Sequence, residues 1–228
     1  MCEDNVRLFK RFGVPGFLLA LVVSLAVTLH AGPVRNPSHP RARLPQQRIS
    51  NGAGNRDKNE HINGNFAGAV FIQHCNRWLF KNVIATNYNG DGFSFQVCDD
   101  VQFRDCKAIN NSDLGFHPGS GSQRPVFRNC AAHGNSQGIF FCWSVSDGLV
   151  ENCILLENTR YGVSIGHRDT DNIIRRCRIE RNGEVGILFR NEDNEFRCGH
   201  RNQIEDCVVR DTFENCPVHI QDLRPKND

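Results

Sequence analysis

Residues 138–166 read GIFFCWSVSDGLVENCILLENTRYGVSIG, and this stretch decides the fold. Gly138 and Gly162 stand 24 positions apart, and each opens a short segment in which apolar residues recur at every second position. Alternation of this kind is typical of a β-strand, whereas apolar residues on a helix face recur every three or four positions. The stretch therefore predicts two equivalent strands separated by one unit of a repeat.

The same unit recurs along most of the chain in three series of residues. The glycine series is Gly68, Gly92, Gly115, Gly138, Gly162 and Gly186. The second series is Asn82, Cys106, Cys130, Cys153, Cys177 and Cys207, and the third is Asn87, Asn111, Asn135, Asn158 and Asn182. Short strands that repeat about every 24 residues, without a helical pattern, are the signature of a β-solenoid. We therefore predict an all-β fold of about six to seven stacked coils.

Stacking the coils places equivalent residues in columns about 4.8 Å apart along the axis. The first and third positions after each glycine are predicted to face inward: Ala69, Phe93, Phe116, Ile139, Val163 and Ile187, then Phe71, Phe95, Pro118, Phe141, Ile165 and Phe189. The cysteine series forms another inward column, whose spacing exceeds the roughly 3.5–4.5 Å between the Cβ atoms of a disulfide. We therefore predict buried free thiols in that column, and asparagine side chains that bond to one another and to the backbone in the third.

Four motifs, DGFSFQ, HPGSGSQRP, FFCW and SIGHRDTDN, give the chain a family resemblance over residues 49–222. It resembles the right-handed parallel β-helix proteins of the pectin-lyase-like superfamily and, more narrowly, secreted bacterial β-helix proteins. The resemblance implies a right-handed parallel β-helix. It implies a function only broadly, because that superfamily contains lyases, hydrolases, epimerases and adhesive proteins.

The N-terminus has the pattern of a targeting segment. Basic residues precede an apolar run at 14–29, which is short for a membrane span and suits a secretory signal. We therefore predict a signal peptide or signal anchor at 1–31, a proline-rich linker and approach at 32–65, the β-helix at 66–222 and a polar tail at 223–228. The protein is expected to be secreted or periplasmic, or anchored in a membrane through residues 14–29 and facing outside.

The charge balance narrows the class of partner. Lysine and arginine number 27 and aspartate and glutamate 25, a formal net charge of +2. Such a balance creates no strong positive field, so we predict no nucleic-acid partner. The partial last coil, CPVHIQD, leaves an exposed sheet edge, which makes oligomer formation through the C-terminal coil an expectation.

Stacking also gathers polar side chains from different coils onto one outward ridge and its adjoining turn. The residues predicted to be catalytic are His117, His167, Arg168, Asp169 and Arg190. Those predicted to bind substrate are Gln96, Gln123, Arg124, Trp143, Asp171, Glu192, His200 and Arg201. An exposed tryptophan stacks on sugar rings, arginine forks pair with carboxylates, and histidine exchanges protons near neutral pH.

These residue types predict an exported carbohydrate-active protein, a lyase or hydrolase that acts on an acidic, uronate-containing polysaccharide. Asp169 and Asp171 are the best carboxylate pair for hydrolysis on one loop. Resemblance to pectate lyases makes calcium the candidate cofactor, held by Asp99, Asp100 and Asp169 with Arg190 as base, although no metal site is assigned. The alternatives are a non-catalytic glycan-binding module and a structural cell-surface module. The role of Asp91, catalytic group or turn cap, stays open at this point.

Overall fold

The structure is a computed structural model that describes residues 68–191, 198–210 and 219–224, together with the backbone of two short strands at 22–23 and 47–50. Three parallel sheets of seven strands run along the molecule. The first sheet contains β1 (Val22–Val23), β4 (Leu79–Lys81), β7 (Gln102–Arg104), β10 (Val126–Arg128), β13 (Leu149–Glu151), β16 (Ile173–Arg175) and β19 (Gln203–Glu205).

The other two sheets complete each coil. The second sheet contains β2 (Gln47–Ser50), β5 (Val83–Thr86), β8 (Lys107–Ile109), β11 (Ala131–His133), β14 (Ile154–Leu156), β17 (Arg178–Glu180) and β20 (Val208–Arg210). The third sheet contains β3 (Val70–Gln73), β6 (Phe93–Gln96), β9 (Leu114–Gly119), β12 (Gln137–Phe140), β15 (Tyr161–Ile165), β18 (Val185–Phe189) and β21 (Ile220–Asp222).

The predicted class, an all-β parallel solenoid, is confirmed. Every strand pairs in parallel with the strand one coil away, as Phe127 of β10 does with Phe103 of β7 and Val150 of β13. The number of complete turns, about five from β3 to β18, is slightly lower than the predicted six to seven. Across the described residues, no helix has the length and apolar character needed to cross a bilayer.

The predicted N-terminal segments fall mostly outside the described residues. Within them the structure places only β1, which pairs with β4, and β2, which pairs with β5. The targeting segment, the linker and membrane anchoring therefore stay predictions. The same holds for oligomer formation through the C-terminal coil, of which residues 211–218 lie outside the described part.

Phenylalanine side chains from successive coils form the core. Phe93 and Phe116 stack with ring centroids 5.1 Å apart, and so do Phe103 and Phe127 at 5.2 Å. Phe103 also meets Phe116 edge to face at 5.6 Å. Each such pair contributes roughly 0.5–1.5 kcal/mol beyond the area that it buries. The inward positions predicted after Gly92, Gly115, Gly138, Gly162 and Gly186 are buried, which confirms those columns.

The first coil departs from the prediction by one residue. Val70 pairs with Phe93 and Ile72 with Phe95, so Val70 and Ile72 occupy the two inward columns. The prediction that Phe71 faces inward is wrong, because Phe71 pairs with Ser94 on the outward face. A slip of one residue moves every side chain of a strand to the opposite face.

The same slip displaces the first members of two other series. Ile84 pairs with Lys107, which puts Val83 rather than Asn82 beside Cys106. Asn82 instead has a φ of 56°, in the left-handed region that turns favour. The backbone N–H of Tyr88, not Asn87, donates to Asn111 Oδ1 at the head of the asparagine series.

The remaining cysteines and asparagines behave as predicted. Cys106, Cys130, Cys153, Cys177 and Cys207 are unpaired thiols, and the first four are buried. In the asparagine column, Asn135 Nδ2 donates to Asn158 Oδ1 at 3.1 Å and Asn158 Nδ2 to Asn182 Oδ1 at 2.9 Å. Each amide therefore satisfies its neighbour one coil away, which makes the series a continuous polar spine inside the solenoid.

Candidate functional site

A buried carboxylate–imidazole pair lies on the outward face of the third sheet. His117 on β9 places Nδ1 2.7 Å from Asp91 Oδ2, across one coil. The residue exposures are 8% for His117 and 2% for Asp91. The other carboxylate oxygen, Asp91 Oδ1, accepts the backbone N–H of Leu114 at 3.1 Å. Asp91 is therefore a cap of β9 and also the hydrogen-bond partner of His117.

This environment favours the charged form of His117. Burial by itself lowers the pKa of His117, but the Asp91 carboxylate, through its charge and hydrogen bond, and the Cys142 side chain raise it to about 10. The two raising effects outweigh the loss of hydration. At neutral pH the imidazole consequently carries a proton on both nitrogens.

Cys142 lies beside this histidine on the next coil. Its backbone N–H donates to Pro118 O at 3.0 Å, and it bridges to Gly119. A methyl group added at Gly119 would lie 3.6 Å from His117 Nε2 and only 3.1 Å from the carbonyl oxygen of Phe95, so the bare glycine lets the imidazole and the backbone approach closely here. Sequence analysis missed this trio of Asp91, His117 and Cys142. The available signal was a cysteine flanked by Gly119 and Gly166 in one outward column.

Arg190 contacts three residues along the same outward ridge. Its Nη1 donates to Ser164 Oγ at 2.8 Å and its Nη2 to the carbonyl oxygen of Phe141 at 2.9 Å. The guanidinium also lies over the Phe140 ring at 4.3 Å. Phe140 in turn meets His117 edge to face, with ring centroids 5.6 Å apart. The structure thus brings two predicted catalytic residues, Arg190 and His117, to either side of one aromatic ring.

The two aspartates predicted as a carboxylate pair lie in different environments. Asp169 is fully buried and accepts the backbone N–H groups of Val145 at 3.0 Å and Gly166 at 2.9 Å. Its Oδ2 also lies 3.4 Å from Arg190 Nη2. Asp171 sits at the surface and holds Arg201 in a two-bond ion pair at 2.7 and 2.6 Å. The two carboxylates therefore bind different partners and do not face a common reaction centre.

An exposed aromatic platform lies at the turn that follows the third sheet. The rings of Trp143 and His167 stack with centroids 5.0 Å apart and an interplanar angle of 16°, and Trp143 is 55% exposed. Arg168 is exposed next to them. Trp143 and Ser144 both have left-handed φ values of 64° and 63°, a conformation that costs roughly 1–2 kcal/mol for a residue with a side chain. Coil stacking thus brings Trp143 and His167, which are 24 residues apart in the chain, into direct contact.

The other predicted substrate-binding residues are not part of the Trp143–His167 stack. Arg124 pairs with Asp100 at 2.8 Å, and Gln123 Nε2 donates to the carbonyl oxygen of Ser144 at 3.0 Å. The remaining members of the predicted set divide between half-buried Gln96, exposed His200 and Arg201, and Glu192, which lies outside the described residues.

The calcium arrangement does not fit this geometry. Asp99 and Asp100 both form ion pairs with Arg124. Both carboxylate oxygens of Asp169 accept hydrogen bonds from backbone N–H groups. Within the described ranges no three His, Cys, Asp or Glu side chains are grouped to hold a metal ion. No step of the chemistry below is therefore derived through calcium.

Comparison with known proteins identifies the fold family. The profile of the family described as "Right handed beta helix region" matches residues 44–139 and 68–221. A crystal structure of an alginate lyase from Paenibacillus sp. str. FPU-7 superposes with a TM-score of 0.56 at 12% sequence identity, over 72% of this chain and 57% of that one. The chain thus corresponds to a little over half the length of that lyase. A comparison with curated protein sequences gives no match. Since the family profile spans well over half of the chain, the protein belongs to the right-handed β-helix family.

Proposed function

We propose that this protein is an exported, carbohydrate-active β-helix protein that acts on an acidic, uronate-containing polysaccharide. The polysaccharide lies across the outward face of the third sheet and the turn that follows it. The observation that carries the proposal is the exposed Trp143–His167 stack beside Arg168, two coils from the Asp91–His117 pair. The likeness to an alginate lyase supports the fold, and its named activity is consistent with this substrate class.

The platform suits an anionic sugar. A pyranose ring stacks on the exposed face of Trp143, since aromatic rings combine large apolar area with a fixed shape. The neighbouring Arg168 is exposed and offers its guanidinium fork to a uronate carboxylate. A polymer threaded along the axis meets equivalent positions about every 4.8 Å, roughly the rise of one coil.

The protonation of His117 assigns its role in a cleavage reaction. Because its pKa is raised to about 10 by Asp91 and Cys142 against the effect of burial, His117 arrives protonated at neutral pH. It is therefore suited to give a proton to a departing oxygen, the acid role in an elimination. His167, stacked on Trp143, is the candidate for the base.

A non-catalytic glycan-binding module is the second candidate. The observation that favours it is the pairing of the ridge cations: Arg124 with Asp100, Arg201 with Asp171, and Arg190 with Asp169. Cations that are already neutralised by carboxylates attract a polyanion more weakly. This module would keep the Trp143 platform and need no proton transfer.

Binding and cleavage assays on the full chain separate these candidates. The substrates are polygalacturonate, alginate and glycosaminoglycans, followed by ultraviolet absorbance of unsaturated uronates and by reducing ends. Absorbance together with new ends identifies a lyase, and new ends alone a hydrolase. Binding without either supports the module.

The platform is tested by Trp143→Ala combined with Arg168→Gln. The matched control is Ile154→Ala on β14, which is 43% exposed on a different sheet. We expect at least tenfold weaker binding in the platform variant and unchanged binding in the control. Equal binding by both variants, or absence of binding to every acidic polymer, would contradict the proposal.

A further inference from the structure

Cys142 has a glycine on each side of it in its column on the outward face. On one side it bridges to Gly119. On the other side, the register that pairs Phe140 with Ser164 places Gly166 next to it. Neither glycine contributes a side chain beside the half-buried thiol, and on the Gly166 side the guanidinium of Arg190 reaches the carbonyl oxygen of Phe141.

The Nε2 atom of His117 lies next to Gly119, the bridge partner of Cys142. This nitrogen is buried, and no hydrogen-bond partner for it exists among the residues that the structure describes. An added methyl group on Gly119 would be 3.6 Å from Nε2. A buried ring nitrogen without a partner is costly, so its retention beside a thiol calls for an explanation.

The opposite edge of the imidazole is held in place. His117 Nδ1 donates to Asp91 Oδ2 at 2.7 Å, and Ser94 Oγ lies 3.3 Å from the same nitrogen. This arrangement fixes the ring orientation and leaves Nε2 to exchange a proton with the group in front of it. A nucleophile, a base and a group that orients the base, in that order, is the general signature of covalent catalysis.

We propose that Cys142, His117 and Asp91 form a nucleophilic centre that accepts an acyl group from a carboxylic ester. Cys142 is the nucleophile, His117 carries its proton, and Asp91 is a positioning residue. The ester is expected on the polysaccharide, as an O-acyl group or an esterified uronate. That choice of substrate rests on the proposed function, whereas the reactivity of the thiol does not.

The reaction balances with water as the only other reactant. In the resting centre the proton of Cys142 is already held by His117, and the Cys142 sulfur attacks as the thiolate and forms a bond to the ester carbonyl carbon. The bond from that carbon to the alkoxy oxygen breaks, and His117 gives its proton to the departing alcohol. Water then attacks the thioester carbon and gives a proton to the now neutral His117, the bond from that carbon to sulfur breaks, and the carboxylic acid leaves with the Cys142 thiolate and the protonated His117 restored.

The surroundings of Cys142 suit attack on a carbonyl carbon better than hydrolysis of a glycosidic bond. Glycoside hydrolysis uses two facing carboxylates, whereas a thiol paired with histidine attacks carbonyl carbon. Arg190 donates to the carbonyl oxygen of Phe141, the residue that precedes Cys142, which brings a positive charge to the coil of the nucleophile. A cation there stabilises the negative oxygen that develops on an attacked carbonyl. The charged and titratable groups that face His117 are Asp91 and Cys142, with Arg190 and its partner Asp169 behind Phe140.

The first test is site-resolved alkylation of the full chain with iodoacetamide, read out by peptide mass spectrometry. Cys75 is the internal reference, because it is also half-buried and its thiol donates to a backbone carbonyl oxygen, that of Gln73, at 3.2 Å. We expect Cys142 to react at least tenfold faster than Cys75 at neutral pH. His117→Ala should bring the two rates together. Equal rates in the wild type, or a Cys142 rate that His117→Ala leaves unchanged, would overturn the proposal.

Asp91→Asn tests the positioning residue without removing the cap. The asparagine keeps an Oδ1 acceptor for the backbone N–H of Leu114, and circular dichroism reports whether the fold is intact. A purely structural role for Asp91 would leave the pH profile of Cys142 alkylation unchanged. We expect the variant to shift that profile to higher pH, since the imidazolium loses its counter-ion.

The acyl step is tested with p-nitrophenyl acetate. We expect an acetyl adduct on Cys142 and release of nitrophenolate that Cys142→Ala abolishes and Ile154→Ala retains. Adduct formation without binding to any acidic glycan would contradict the proposed function and leave this inference standing. Glycan binding by the wild type with no adduct on Cys142 would contradict this inference and leave the proposed function standing.

Discussion

Arg190 on the sixth coil donates to the carbonyl oxygen of Phe141, 49 residues earlier in the chain, at a distance of 2.9 Å. The guanidinium crosses the intervening coil at Gly166, where no side chain stands in the way. It thereby joins three coils and offsets the charge of buried Asp169. A residue predicted from the sequence to be catalytic is thus also part of the scaffold.

Replacing Arg190 by alanine is expected to destabilise the protein. Asp169 would keep two backbone N–H donors but lose its cation, and Phe141 O and Ser164 Oγ would lose a donor. Loss of one partner from a largely buried ion pair costs about 2–4 kcal/mol. Urea unfolding checks this value. Arg124→Ala is the control, because its exposed pair with Asp100 should leave the midpoint close to that of the wild type.

Removal of one asparagine from the spine should also cost stability. Asn158→Ala leaves the backbone N–H and the side-chain amide of Asn135 without the oxygen that both use, inside a dry core. Two unsatisfied buried groups cost about 2–4 kcal/mol in the free energy of unfolding. Thermal unfolding of Asn158→Ala against Thr159→Ala, an exposed neighbour on the same turn, measures the difference. Equal stability of the two variants would show that the spine is not a stabilising element.

Trp143 should show a trade between stability and binding. Its φ of 64° favours glycine, and its ring is mostly exposed, so little core contact is lost on removal. We expect Trp143→Gly to be about 1 kcal/mol more stable than Trp143→Ala, because glycine adopts this conformation without strain. Both variants should bind acidic glycan more weakly than the wild type. Tighter binding or lower stability in the glycine variant would contradict this account of the platform.

The protonation of His117 predicts a pH dependence of stability. Asp91 and Cys142 raise the pKa of His117 from 6.5 to about 10 in the folded state against the lowering effect of burial. A raised folded-state pKa adds stability that is complete below about pH 6.5 and is lost as the pH rises toward about 10. The expected loss over this window is on the order of a few kcal/mol. Unfolding measured from pH 6 to 10 should show a smaller decline for Asp91→Asn than for the wild type.

Much of the fold could be predicted because every coil of a solenoid must meet the same local packing requirements. A methyl group at Gly115 would lie 2.6 Å from the carbonyl oxygen of Gly138, so every coil needs glycine where its backbone approaches the next. The cysteine and asparagine columns follow the same rule of one contact per coil. The inward residues of the first coil were predicted wrongly. A shift of one residue leaves the spacing of the repeat almost unchanged, but it moves every side chain of the strand to the opposite face of the sheet.

The sequence by itself determined the repeat, the inward columns from Phe93 onward and the ridge on which polar groups collect. Only the tertiary structure decided how those groups pair. Stacking determines which residues share a column. Asp91, His117 and Cys142, however, belong to different columns and meet diagonally. Their contact depends on the direction of the side chains and on the absence of a side chain at Gly119. Likewise, Asp169 reads as a surface acid in the sequence yet is fully buried, because two backbone N–H groups and Arg190 satisfy its charge inside the turn.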